Sequence, residues 1–161
     1  MNNLYILTAP IQTGKTTRLS EWVKHQPNID GILQPVINGK RYLVDIGSNQ
    51  TKLLSVDNID DPGKVIHVGN FVFDRKVFNW ASAELINALE NRPAWLVVDE
   101  VGKLELEGEG LDAAVYELIK RSKEFPETNF LFVVRDSLLQ LFYEYYNLNK
   151  ENVSFFEFTE E

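Results

Sequence analysis

The chain has 161 residues, 44% of them apolar, and carries 24 acidic against 16 basic residues for a formal net charge of -8. That length suits one domain with a sizeable core, and that charge sets the surface against DNA and RNA backbones, because the basic residues are scattered and the tail FFEFTEE is acidic. The absence of cysteine excludes disulfides and thiolate metal sites, and with only His25 and His67 a histidine-rich zinc centre is not expected.

The first segment, LYIL at 4–7, is a short apolar run of the kind that forms a buried parallel strand. MNNLYILTAP lacks the basic region and long apolar segment of a secretory signal. No run approaches the ~18 apolar residues of a membrane span, so a cytoplasmic protein without a membrane partner is expected. From Lys15 the period changes. Leu19, Trp22 and Val23 fall at helical spacing, and the helix should stop near Pro27. ILQPVI and KRYLVDI flank Asn38-Gly39, which predicts an antiparallel hairpin with a tight turn, and Pro35 marks its first strand as an edge or bulge. A further strand is expected at 52–56, which gives an insertion or edge spanning about 32–56.

VIHV at 65–68 is a strand candidate, FVFDRKVF after it is ambiguous, with a strand followed by a helix as one reading, and a helix is clear over 80–89, where Ala81, Leu85, Ala88 and Leu89 share a face. WLVVDE at 95–100 is a buried strand ending in two carboxylates. A charged loop at 102–110 leads to a helix at 111–119, and FLFVV at 130–134 is another buried strand. Ser137 is placed to cap a helix carrying Leu138, Leu141, Phe142 and Tyr145, and a last strand is expected at 153–158. Phe71, Phe73 and Phe78 read as core first and as rings that stack on a base or close a pocket second, His67 reads as packed, and His25 suits a helix C-terminus. Apolar strands alternating with helices predict a single α/β domain over 1–161, with a mostly parallel central sheet and helices on both faces.

Two stretches carry chemistry. Thr13-Gly14-Lys15-Thr16 lies between the first strand and the first helix, the context of a phosphate-binding loop. Backbone N–H groups there can bind polyphosphate oxygens. Gly14 allows close approach, Lys15 reaches the β and γ phosphates, and Thr16 offers a hydroxyl to Mg²⁺. The full pattern G-x-x-x-x-G-K-[ST] has Ala9 in its first position, which predicts an adjusted turn rather than a lost loop. The second stretch is Asp99-Glu100. An aspartate at the carboxyl end of a central strand can hold Mg²⁺ beside Thr16, and alternation would aim Glu100 elsewhere, to orient an attacking water. Open parallel sheets bind ligands at the carboxyl ends of their strands, where both stretches fall.

LYILTAPIQTGKTTRL followed by WLVVDEVGKLEL resembles the small nucleoside-triphosphatases of the THEP1 type, and Asp99, Glu100, Gly102, Lys103 and Glu105 match the family block position by position. The stretches at 31–46 and 130–136 resemble the family's hairpin and late strand. The resemblance implies a RecA-like phosphate-loop NTPase fold in which 130–134 lies between the loop strand and the acidic strand, putting Arg135 at the working edge. It also implies Mg²⁺ with ATP or another nucleoside triphosphate, hydrolysed slowly with little base selectivity. Gln12, Thr13, Gly14, Lys15, Thr16 and Thr17 would then bind the nucleotide, and Thr16 and Asp99 the metal. Lys15, Glu100, Arg135 and Lys103 are the candidate catalytic residues. Lys103 is expected either to approach the phosphates or to position Glu100, and Arg135 either to neutralise transition-state charge or to pair with Asp136. Arg41 is either a substrate contact or an ordinary exposed hairpin arginine. Two family glycines are replaced, by Ala9 and Gln12, and Gln34-Pro35 stands where relatives carry charged residues. Three activities stay open from the residues: hydrolysis, transfer to a small-molecule acceptor, and a slow nucleotide-regulated binding or assembly module. Oligomeric state is not set by the sequence.

Overall fold

The computed structural model describes residues 2–9, 15–57 and 62–158. In chain order the main elements are β1 (Leu4–Ala9), α1 (Lys15–Lys24), β2 (Ile29–Leu33), β3 (Val36–Ile37), β4 (Lys40–Asp45), β5 (Thr51–Leu53), β6 (Val65–Val68), β7 (Phe71–Asp74), α2 (Arg75–Glu90), β8 (Trp95–Val98), α3 (Asp112–Arg121), β9 (Asn129–Arg135), α4 (Leu139–Tyr145) and β10 (Ser154–Phe155). The large sheet has the order β10-β1-β9-β8-β2-β4-β3, with β5 paired to β4. From β10 to β2 every pairing is parallel, and β4 joins its neighbours antiparallel. β9 lies between β1 and β8, in register from Leu4↔Phe130 to Ala9↔Arg135 on one side and from Trp95↔Asn129 to Val98↔Phe132 on the other.

Strand alternation sorts the side chains into two cores. Leu4 and Ile6 of β1, Leu96 and Val98 of β8, and Phe130, Phe132 and Val134 of β9 pack with α2, α3 and α4. The residues between them, Leu7, Val97, Leu131 and Val133, pack with Leu19 and Val23 of α1 on the other face. The outcome is the expected three-layer α/β fold with a mixed sheet. The α1 side is completed by aromatic edges: Trp22 meets Trp95 at 5.3 Å and Phe156 at 4.9 Å, both near perpendicular.

Several local expectations change. β2 is not merely the first arm of a hairpin. It pairs parallel with β8 as well as antiparallel with β4, and the Asn38-Gly39 turn joins β3 to β4, with φ of 53° and 77° at its two centres. The ambiguous FVFDRKVF is a strand and then a helix, divided at Asp74, whose side chain accepts the Lys76 N–H, so α2 starts at Arg75 and takes in the clear helical stretch at 80–89. Ser137 caps nothing. It sits inside a 3₁₀ turn, and α4 begins at Leu139 without a side-chain cap. Phe142 is buried as expected, but Leu141 and Tyr145 face outward (53% and 43% exposed), and Tyr143 is buried in their place. β10 is shorter than 153–158 because only Ser154 and Phe155 reach ladder register with β1. His67 is exposed on the separate β6–β7 hairpin, whereas His25 does serve the α1 terminus, its Nδ1 lying 2.8 Å from the Glu21 carbonyl.

Candidate functional site

The carboxyl ends of β1, β9 and β8 share one edge of the sheet, because these strands are parallel neighbours. Lys15, Thr16 and Thr17 open α1 just past β1. Gln12, Thr13 and Gly14 lie outside the described residues. Arg135 closes β9 opposite Ala9.

At the end of β8 the two carboxylates part company, and the cause is not strand alternation. Asp99 is buried (1% exposed), and its Oδ2 accepts the backbone N–H of Gln34 from the end of β2 at 3.0 Å. Glu100 then takes φ of +68°, a left-handed conformation that costs a side-chain-bearing residue about 1–2 kcal/mol. That turn swings Glu100 out over the sheet edge. Its Oε2 meets Arg41 Nη1 at 3.0 Å and its Oε1 meets Arg135 Nη2 at 3.1 Å. The three side chains are 18–33% exposed, so these charges attract one another more strongly than pairs in open water.

Arg135 is therefore at the carboxyl edge of the sheet, and its partner is Glu100 rather than Asp136. Lys103 is exposed, and among the described residues it forms no ion pair, so positioning Glu100 falls to the two arginines. Arg41 is the contact that sequence reasoning undervalued. It shares strand parity with the buried Leu43, which turns it toward the α2 face and not to solvent. Its guanidinium also lies 5.5 Å from the centroid of Phe71.

Glu105 fastens the loop that follows. It is buried, its Oε1 accepts the Gly102 N–H at 2.8 Å, and its Oε2 accepts the Leu111 N–H at 2.9 Å. Burial pushes its carboxyl up, the two backbone donors partly oppose this, and Glu100 adds a small repulsion, leaving it at about 7. Gly110, at φ +61°, makes room for it: a Cβ there would stand 2.0 Å from Glu105 Oε2.

Beside Glu100 the sheet edge opens into a cavity of about 320 Å³ between the Arg41–Glu100–Arg135 group and the β6–β7 hairpin. The expected aromatic core divides here. Phe73 and Phe78 are buried, but Phe71 is 40% exposed and lines this cavity.

A family model described as NTPase matches residues 4–161. No curated protein matches the sequence. The crystal structure of THEP1 from the hyperthermophile Aquifex aeolicus superposes with a TM-score of 0.68 at 17% identity, covering 96% of this chain and 88% of that one. At that identity the superposition speaks for the fold, and the family match over nearly the whole length settles the kinship: the chain belongs to the NTPase family, the THEP1-type phosphate-loop proteins that its two motifs resemble.

Proposed function

We propose that this protein is a Mg²⁺-dependent nucleoside-triphosphatase of broad base specificity. The observation that carries the reading is Glu100, a carboxylate thrown out of line at the carboxyl edge of β8 and held there by Arg41 and Arg135. Gln12, Thr13, Gly14, Lys15, Thr16 and Thr17 would bind the triphosphate, the loop amides and Lys15 taking the β and γ phosphates. Thr16 and Asp99 would hold Mg²⁺. Asp99 suits that ion as a buried hard-oxygen donor at the strand end, since magnesium uses few protein oxygens and keeps several waters. When bound, the ion supplies positive charge to the phosphate oxygens.

Glu100 orients a water against the terminal phosphate and takes its proton as the new P–O bond forms, while the bond from the γ phosphorus to the β–γ bridging oxygen breaks and the nucleoside diphosphate leaves with that oxygen's electron pair. The arginines keep Glu100 aimed, and Arg135, on the strand next to β1, answers the negative charge that builds on the phosphoryl group. Lys103 remains available on the same rim. No helix among the described residues is long and apolar enough to cross a membrane, and the acidic surface fits a cytoplasmic enzyme that works on small molecules rather than on nucleic acid.

The cavity beyond Glu100 favours a second reading, transfer of the phosphoryl group to a small-molecule hydroxyl aligned by the same carboxylate. The test is purified protein with Mg²⁺ and each nucleoside triphosphate, with phosphate release followed for the wild type and Lys15→Ala. Release from several triphosphates, and a large rise in KM for the variant, is the expected result. No release from any of them would overturn the hydrolase reading.

A further inference from the structure

We propose that the cavity between Glu100 and the β6–β7 hairpin is a second ligand site, built for a small planar aromatic molecule that carries an anionic group. The aromatic half of the argument is the hairpin itself. Phe71 and Phe73 stack with ring centroids 5.8 Å apart and planes 19° from parallel. Phe78 braces Phe73 from behind, edge-on at 6.0 Å. The outermost ring, on Phe71, is thus fixed flat while 40% exposed at the cavity wall. An exposed ring held in this way, stacked on Phe73 and with the Arg41 guanidinium 5.5 Å from its centroid, sets an aromatic surface beside a cation at little entropic cost, because its orientation is already set.

The charged half is the opposite rim. Arg41, Arg135 and Lys103 all line the cavity. Glu100 satisfies the two arginines only through one oxygen each, and Lys103 has no carboxylate partner among the described residues. Three basic side chains therefore face the Glu100 carboxylate at that rim, while both oxygens of Glu105 are taken by backbone donors. The balance favours a ligand bearing a phosphate or a carboxylate. Gln34, 9% exposed, adds a side-chain amide that hydrogen-bonds to no described residue and can meet a ring heteroatom. A volume of about 320 Å³ lies at the small end of the range for ligand sites, which suits one ring system and its anion.

Arg135 at the end of β9 forms one wall of the cavity, and Gln34 after β2 and Arg41 of β4 carry it along the sheet past β8, in the direction away from β1. As a site for the acceptor of a phosphoryl group it rests on the reading of Glu100 given above. As a binding site it rests on the cavity alone, and the test keeps the two apart.

The probe is 2-naphthoate, an aromatic carboxylate without a phosphate, titrated into the full chain without nucleotide and followed by amide and guanidinium NMR shifts. The expected result is saturable binding of one molecule per chain, with shifts centred on Phe71, Phe73 and Arg41. Phe71→Ala should weaken it about threefold to tenfold, and Lys103→Gln should weaken naphthoate but not the neutral 2-naphthalenemethanol. Phe71 is 40% exposed, and an unchanged far-UV spectrum checks that its variant folds. Absence of saturation, or affinity indifferent to both substitutions, would overturn the proposal. So would displacement of naphthoate by ATP together with a raised KM for ATP in Phe71→Ala, since the cavity would then hold the base of the hydrolysed nucleotide. Naphthoate binding in a protein that releases no phosphate would support the site and refute the hydrolase.

Discussion

Glu105→Gln is the substitution with the most specific consequence. Glu105 is 4% exposed, and its two oxygens hold the Gly102 and Leu111 amides on either side of the loop after Glu100. Its carboxyl rises from an ordinary 4.5 to about 7 because burial penalises the charged form. A raised acid binds its proton more tightly in the folded chain than in the unfolded one. Its contribution to stability is therefore fully present below pH 4.5 and is lost as pH rises to about 7. The gap between those two values corresponds to about 3 kcal/mol. Glutamine keeps the shape but cannot titrate, and its NH₂ faces a backbone donor, a cost of about 1–3 kcal/mol that does not depend on pH. Urea unfolding of both proteins at about pH 4 and about pH 8 isolates the titrating part as the change in their difference. The wild-type advantage should shrink by about 3 kcal/mol between the two conditions. Stability curves that run parallel across that range would refute the burial argument for Glu105.

Gly110→Ala places a Cβ on Glu105 Oε2 and forces a side-chain-bearing residue to φ +61°, so it should cost about 3 kcal/mol from strain and lost hydrogen bonds, read from the urea midpoint. Arg135→Ala should lower kcat about a hundredfold at nearly constant KM if it meets transition-state charge. Arg41→Ala, which removes one half-buried ion pair to Glu100, should lower it only about fivefold. Equal losses in steady-state assays of the two variants would mean that both arginines act only by holding Glu100.

The sheet was legible because its strands are short apolar runs, and the position of β9 between β1 and β8 agreed with the family resemblance. The left-handed turn at Glu100 was not legible. A glutamate gives no local signal for positive φ, and the conformation is held by Arg41 and Arg135, 59 and 35 residues away in sequence. Arg41 was readable in part, since its parity with Leu43 already turned it inward. Phe71 was misjudged because alternation along a two-stranded hairpin cannot say which face another element covers. The role of Glu105 depends on a loop that closes back on itself at Leu111, a contact that spacing alone does not reveal.

The central claim is that Glu100 handles the attacking water and takes no part in gripping the triphosphate. Glu100→Gln, assayed for triphosphate affinity by equilibrium binding with Mg²⁺ and for phosphate release in a single turnover, tests it most directly. The account expects binding within about twofold of wild type and hydrolysis slower by about a hundredfold or more. Unchanged turnover in that variant, or binding lost in step with hydrolysis, would contradict it.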